Sequence, residues 1–218
     1  MMRLLAVLVL PLTVLDQRPA LDARFIGNMA FAITDGTTTI MSDFPYQSGY
    51  SRYMDYRPDA IRSTTQATLS LITHRHRDHW DRELFQKTGW NVAGPVDVVS
   101  MVPPARVVSL KPQGNFGAAR IDAIETPHAS IGHYSYVVTW HDRRLYFSGD
   151  TEDSTHLVAL KNLDAAFVSP WLYRSVLRKS QRIDTKLIVI YHHEAGENVA
   201  ECKADCVLPH QGETIQIR

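Results

Sequence analysis

The residues best equipped for chemistry in this chain lie in one short stretch, Thr73-His74-Arg75-His76-Arg77-Asp78-His79. It follows directly on Ala67-Thr68-Leu69-Ser70-Leu71-Ile72-Thr73, an apolar run that reads as a short strand. Imidazoles two residues apart on an extended loop can converge on one divalent cation, as borderline ligands for metals of the zinc type. The carboxylate of Asp78 and the imidazole of His79, just beyond, suit a second cation alongside. The plainer alternative is a solvated loop rich in histidine, or a patch whose charge follows pH. Further downstream, His128 in Thr126-Pro127-His128 follows a strand, as does Asp150 in Ser148-Gly149-Asp150-Thr151. Ile188-Val189-Ile190-Tyr191 runs into His192-His193. Taken alone, His128 is an ordinary surface histidine, and Asp150 serves equally well as the cap of a helix beginning near Thr151.

Strands dominate the elements that must carry these residues. Residues 24–34 and 38–42 read as strands joined at Asp35-Gly36, a strong hairpin signal. Helical material surrounds 58–68, and 96–101 and 106–110 read as further strands. Residues 134–140 and 144–147 flank His141-Asp142-Arg143 as a second hairpin. Residues 153–163 look helical, 165–168 form a strand, 172–183 a helix, 187–191 a buried strand and 213–217 a closing strand. Strands with helices interspersed point to an α/β arrangement, with sheets covered by helices.

His74-x-His76-x-Asp78-His79 behind a strand ending in Ile72-Thr73 resembles the signature of the metallo-β-lactamase superfamily. The resemblance extends over residues 24–218, and four further segments fall in the family's order. Ser42-Asp43-Phe44-Pro45 is similar to its early aspartate-containing turn, and Thr126-Pro127-His128 to its isolated histidine. Ser148-Gly149-Asp150-Thr151 is similar to its Gly-Asp-Thr segment, and the strand into His192 to the one ending in its last histidine ligand. The resemblance implies a four-layer αββα sandwich with a dinuclear metal site at one edge, between the two sheets. It implies that His74, His76 and His128 hold the first metal, that Asp78, His79 and His192 hold the second, and that Asp150 bridges the two. His193 is the alternative to His192, whereas His210 in Leu208-Pro209-His210-Gln211-Gly212 reads as a turn before the final strand. Asp43 is a candidate for fixing a ligand imidazole by accepting from its other nitrogen. His133, His141 and His156 receive no role.

The cofactors implied are two divalent ions, zinc first, with manganese or iron as alternatives. A water held between two such ions loses its proton near neutral pH and becomes a nucleophile. Asp78 would orient it and pass a proton to the leaving group. The expected activity is hydrolysis of a small ester, lactone, lactam or phosphoester. Two alternatives are a phosphodiesterase acting on a nucleotide or phospholipid, and a mononuclear-iron sulfur dioxygenase. His76 stands where the flavo-diiron oxygen reductases carry glutamate, which argues against that branch. Separations of 49 positions from His79 to His128, 22 from there to Asp150 and 42 on to His192 resemble those of short stand-alone hydrolases, including ascorbate-6-phosphate lactonase-like proteins.

The chain departs from those relatives at two places. Gly27-Asn28-Met29 stands where they often have a histidine, and Val168-Ser169-Pro170-Trp171-Leu172-Tyr173 where they often have a Pro-x-Gly-Gly turn. Trp80, Trp171 and Tyr173 are candidates either for an apolar pocket beside the metals or for the core. Arg75 and Arg77 are candidates for holding an anionic group, or for facing water and nearby acids.

At 218 residues, 44% hydrophobic and 21% charged, the chain can bury a globular core. Lys and Arg number 23 against 23 Asp and Glu, and that balance disfavours a nucleic-acid partner and leaves a small molecule as the expected one. Residues 4–15 are apolar apart from Thr13 and follow Arg3, the pattern of a signal peptide cleaved near Ala20 or Ala23. Residues 1–23 are thus read as a leader of an exported protein, periplasmic or secreted, or as an N-terminal arm of a cytoplasmic one. The apolar run is too short to cross a bilayer, which takes about 20 residues. Cys202 and Cys206 are four apart, compatible with a disulfide in an oxidising compartment and with two small half-buried thiols in a reducing one. The oligomeric state is left open.

Overall fold

A computed structural model describes residues 19–44, 52–55, 66–111 and 113–218. Two mixed sheets pack face to face. The first contains β1 (Leu21–Gly27), β2 (Ala30–Thr34), β3 (Thr38–Ser42), β4 (Ala67–Leu71) and β5 (Asn91–Ala93). The second contains β6 (Gly114–Phe116), β7 (Ala119–Glu125), β8 (Tyr134–Trp140), β9 (Arg143–Phe147), β10 (Ala165–Val168), β11 (Ile188–Ile190) and β12 (Cys206–Val207). The last strand, β13 (Thr214–Ile217), returns to the first sheet beside β1, giving the order β13-β1-β2-β3-β4-β5. The second sheet keeps chain order throughout, antiparallel from β6 to β9 and parallel from β9 to β12.

Side chains alternate across a strand, and this period of two builds the layers. Tyr136, Val138 and Trp140 of β8, Leu145 and Phe147 of β9, and Phe167 of β10 face the first sheet, meeting Phe25, Phe31, Ile33, Leu69 and Leu71. Val137, Tyr146, Ala166, Val168 and Ile190 point the other way and are covered by Leu172, Tyr173 and Val176. Those three belong to the longest described helix, Pro170–Arg178, for which Ser169 accepts from the Leu172 amide and Pro170 supplies a preset first turn. Each such aliphatic side chain contributes about 1.5–3 kcal/mol by leaving water. The chain is therefore an α/β sandwich, with short helices on the sheets. In chain order the described helices are α1 (Arg82–Gln86), α2 (Val96–Val99), α3 (Thr155–Ala159) and α4 (Pro170–Arg178).

Several elements differ from the sequence reading. Residues 24–34 are two strands, because the chain reverses at Gly27-Asn28-Met29, with Gly27 at φ 143° and Asn28 at φ 51°. The valines of 96–101 form α2 behind Pro95, and the strand lies earlier, at β5. Residues 106–110 make one isolated bridge, Val107 to Val92, and no strand. The helices expected over 153–163 and 172–183 contract to α3 and α4, and the β6–β7 hairpin and α1 were not anticipated. Of the helix expected around 58–68, residues 58–65 lie outside the described residues, while β4 begins at Ala67. β1 begins at Leu21, and Leu21 and Ala23 are fully buried in the intersheet core, so trimming the chain through Ala23 would strip that strand of two core residues. No described helix is long and apolar enough to cross a membrane. Cys202 and Cys206 are joined by a disulfide.

A polar link joins a turn of the first sheet to a turn of the second. Asp35, in the β2–β3 turn, receives the Thr37 and Thr38 amides at 2.8 and 2.9 Å and meets His141 Nε2, in the β8–β9 turn, at 2.8 Å. Burial alone would raise its carboxyl pKa, but His141 and the turn donors outweigh burial and hold it well below the usual range. A carboxylate depressed on folding stabilises the fold above its unfolded pKa of about 4 and loses that contribution as pH falls through the acid range. Asp35→Asn is therefore expected to lower unfolding free energy at pH 7 by about 1–2 kcal/mol. The gap to the wild-type chain should close as denaturant melts are repeated toward pH 2, and a gap independent of pH would contradict the assignment.

Candidate metal centre

All seven residues singled out by the sequence meet at one edge of the sandwich, where β3, β4, β9 and β11 end. They fall into two groups, His74, His76 and His128, and Asp78, His79, Asp150 and His192. Within each group the potential ligand atoms lie within 4.8 Å of one another. His74 Nε2 is 2.9 Å and His128 Nε2 3.4 Å from His76 Nδ1. Asp78 Oδ2 lies 3.4 Å from His192 Nε2 and 3.7 Å from His79 Nε2. The Asp150 carboxylate stands between the groups. Its Oδ2 is 3.2 Å from His79 Nε2 and 4.0 Å from Nε2 of both His74 and His128, and its Oδ1 is 3.6 Å from His192 Nε2.

Local structure explains the convergence. β4 stops at Leu71, and the Thr73 amide leaves the ladder to donate to Asp43 Oδ1 at 2.7 Å. The chain then winds into a tight turn in which His79 and Trp80 amides both donate to the His76 carbonyl, stacking Asp78 and His79 behind His74. Asp150 does not cap a helix. It follows Gly149, at φ 58°, while the first turn of α3 is held instead by Asp153, which accepts from the Thr155 amide. His192 is at φ 55°. Left-handed non-glycine residues at the ends of β3 (Asp43, φ 53°) and β11 (His192) place backbone strain around this edge, as is common where geometry is set by function.

The electrostatics suit a cation. Burial, reinforced by the neighbouring His79, pushes the His74 imidazole pKa far down, and burial lowers that of His128. Their lone pairs are thus free to coordinate. Burial works against the Asp150 carboxylate, yet His79 and His192 hold it well below the usual range. For His79 burial is likewise outweighed, by Asp150 and Asp43, and its pKa lies well above that of free imidazole. His79 Nε2 and Asp150 Oδ1 are buried and make no hydrogen bond among the described residues. Two buried atoms able to coordinate, without hydrogen-bond partners and set among imidazole nitrogens and carboxylates, fit divalent metal ions.

Asp43 occupies the supporting position expected of it. Fully buried, it meets His79 Nδ1 at 3.1 Å and takes the Thr73 hydroxyl at 3.0 Å, so His79 directs Nε2 toward Asp150. Of the two adjacent histidines, His192 points into the centre, whereas His193 turns away, with its ring nitrogens 3.0 and 3.1 Å from the carbonyls of Glu194 and Pro209. Trp80 is core, packed with Phe44 and Phe85, and so is Tyr173. Trp171 does reach the edge, with its ring 4.9 Å from that of His192, and Tyr53 flanks the same imidazole at 4.8 Å. Arg75 is paired with Asp97 at 3.1 Å.

Four positioning contacts were not read from the sequence. Asn28 Nδ2 donates to the Asp78 carbonyl at 3.0 Å, and the Asn28 carbonyl accepts from the His192 amide at 2.8 Å. Asn28 thus ties two segments of the candidate site to the β1–β2 turn. His133, fully buried, accepts from the Asp150 amide at 3.0 Å, and the Tyr191 hydroxyl accepts from the Gly149 amide at 2.7 Å. Burial, then the neighbouring His128 and His79, bring the His133 pKa down to about 3. Nothing in local spacing marks these residues; only the pattern of strand ends could have done so.

Solved structures share this architecture. Igni18, a metallo hydrolase from the archaeon Ignicoccus hospitalis, superposes with a TM-score of 0.68 at 15% identity, over 91% of this chain and 99% of that one. The metallo-β-lactamase fold protein YhfI from Bacillus subtilis gives 0.67 at 10% identity, over 91% and 100%. CmlA, a diiron β-hydroxylase from Streptomyces venezuelae, gives 0.51 at 14% identity, over 82% of this chain and 45% of that one. No protein-family model matches the chain, and no curated protein is similar in sequence. The fold is that of the metallo-β-lactamase superfamily.

Proposed function

We propose that this chain is a metal-dependent hydrolase with a centre for two divalent ions, zinc first among them. His74, His76 and His128 would hold one ion, and Asp78, His79 and His192 the other, with Asp150 shared. The observation that carries this reading is the Asp150 carboxylate, within 4.0 Å of ring nitrogens from both groups. Ions bound there would supply Lewis-acid polarisation of the scissile bond and a lowered pKa for water. Asp78, ionised and buried, is placed to hold that proton and return it to the leaving group. His79 is steered by Asp43, and His192 is flanked by Tyr53 and Trp171. An open cleft of about 620 Å³, lined by Pro127, His128, Ile131, Glu152 and Asp153, leads away from the first group and suits a small ester, lactone, lactam or phosphoester.

Elemental analysis of protein grown without added metal tests the reading. Near two zinc per chain is expected, together with chelator-sensitive hydrolysis of at least one compound in a panel of lactones, β-lactams and phosphodiesters. About one iron per chain and no hydrolysis would overturn it in favour of oxygen-dependent chemistry, a direction that the diiron hydroxylase of the same fold keeps in view.

A further inference from the structure

Behind the centre, a one-way chain of hydrogen bonds ends on the residue that both ligand groups share. The Asp150 amide can only donate, so His133 Nε2, 3.0 Å away, must accept and carry no proton. The proton is then on Nδ1, which donates to Thr126 Oγ1 at 2.7 Å. The Thr126 hydroxyl, having accepted, is free to donate to Ser135 Oγ at 3.1 Å, and the Ser135 hydroxyl donates to the Ser148 carbonyl at 2.8 Å. The loop from Ser148 to Asp150 is thereby gripped at both ends by side chains from β8 and the segments flanking β7 and β8. Packing is equally tight: Gly149 adopts φ 58°, and a Cβ there would collide with His133 Nε2. His133 is 1% exposed, so its contact with the Asp150 amide is shielded from solvent.

We infer that His133 is a positioning residue for the metal centre. As the Nδ1–H tautomer it anchors the Asp150 amide and so sets the direction of the shared carboxylate. Histidine is suited to this place because it joins an acceptor at Nε2 to a donor at Nδ1 across one rigid ring. The inference rests on the two-metal reading above. Its chemical content is that an acceptor is needed at the Nε2 position, which glutamine can supply and asparagine cannot.

The test is chelator competition for Co2+, with the Co2+ visible spectrum as a second readout, on wild-type, His133→Asn, His133→Gln and Thr126→Val proteins. Supporting contacts of this kind are worth about 10–100-fold in metal affinity. His133→Asn is expected to lose that much and to shift the spectrum, while His133→Gln stays within about threefold of wild type. Thr126→Val, which removes the acceptor that fixes the tautomer, should weaken binding about tenfold. Thermal midpoints of the metal-free proteins separate these effects from unfolding. Equal affinity in all four proteins, or equal loss in the Asn and Gln variants, would overturn the inference. If His133→Asn does not fold, Thr126→Val decides, and wild-type affinity there overturns it. A wild-type protein that binds no Co2+ would instead sink the metal-centre reading itself.

Discussion

Replacing Asp78 with Asn is expected to lower the hydrolytic kcat by about 10²–10⁴-fold while leaving the fold intact, the range associated with loss of a positioned acid–base group. Asp78 is 5% exposed, and its carboxylate lies between His192 and His79 at the centre. Burial would raise its pKa, but the His192 contact and the charge of His79 outweigh burial and keep it below the ordinary carboxylate range. The group is thus ionised at neutral pH and able to take a proton. Its own carbonyl is pinned by Asn28, so an isosteric amide should stand in the same place. Metal content measured alongside distinguishes a lost proton carrier from a lost ligand. Turnover unchanged across the substrate panel, with full metal content, would remove Asp78 from the mechanism.

Asp43→Ala is expected to cost about 3–5 kcal/mol of stability, the range for stripping one partner from a buried ionic contact. Asp43 is fully buried and serves the Thr73 amide, the Thr73 hydroxyl and His79 Nδ1 together. Its removal strands the Thr73 and His79 donors where water does not reach. The residue also sits at φ 53°, a backbone region that aspartate tolerates and alanine resists by about 1–2 kcal/mol. His79 would then be free to choose its tautomer, and metal affinity should fall about 10–100-fold. Urea unfolding and chelator competition read the two effects separately. A change below about 1 kcal/mol would mean that another group satisfies Thr73 and His79, contrary to the geometry.

The seven residues gathered at the centre were legible in the sequence because their chemistry is partly local. Four of them share one turn after β4, and Asp150 and His192 each follow an apolar strand closely enough to be placed at its end. Residues acting through tertiary contact were not legible. Asn28, His133 and Tyr191 carry no short-range pattern, and each meets its partner only once two sheets are stacked. The adjacent His192 and His193 show the same limit: which one faces the centre depends on a left-handed backbone at His192, and composition says nothing about that. Among elements, the hairpins at Asp35-Gly36 and His141-Asp142 stand where turn chemistry put them. The valines of α2 misled because a short apolar run suits helix and strand alike, and Pro95 decides for the helix.

The Asp35–His141 contact joins the turns at the rim opposite the metal centre, since β3 leads from Asp35 to Asp43 and β9 from Arg143 toward Asp150. One rim of the sandwich thus holds a polar contact remote from the candidate ligands gathered at the other. Stability at the far rim can therefore change without a direct effect on the candidate ligands.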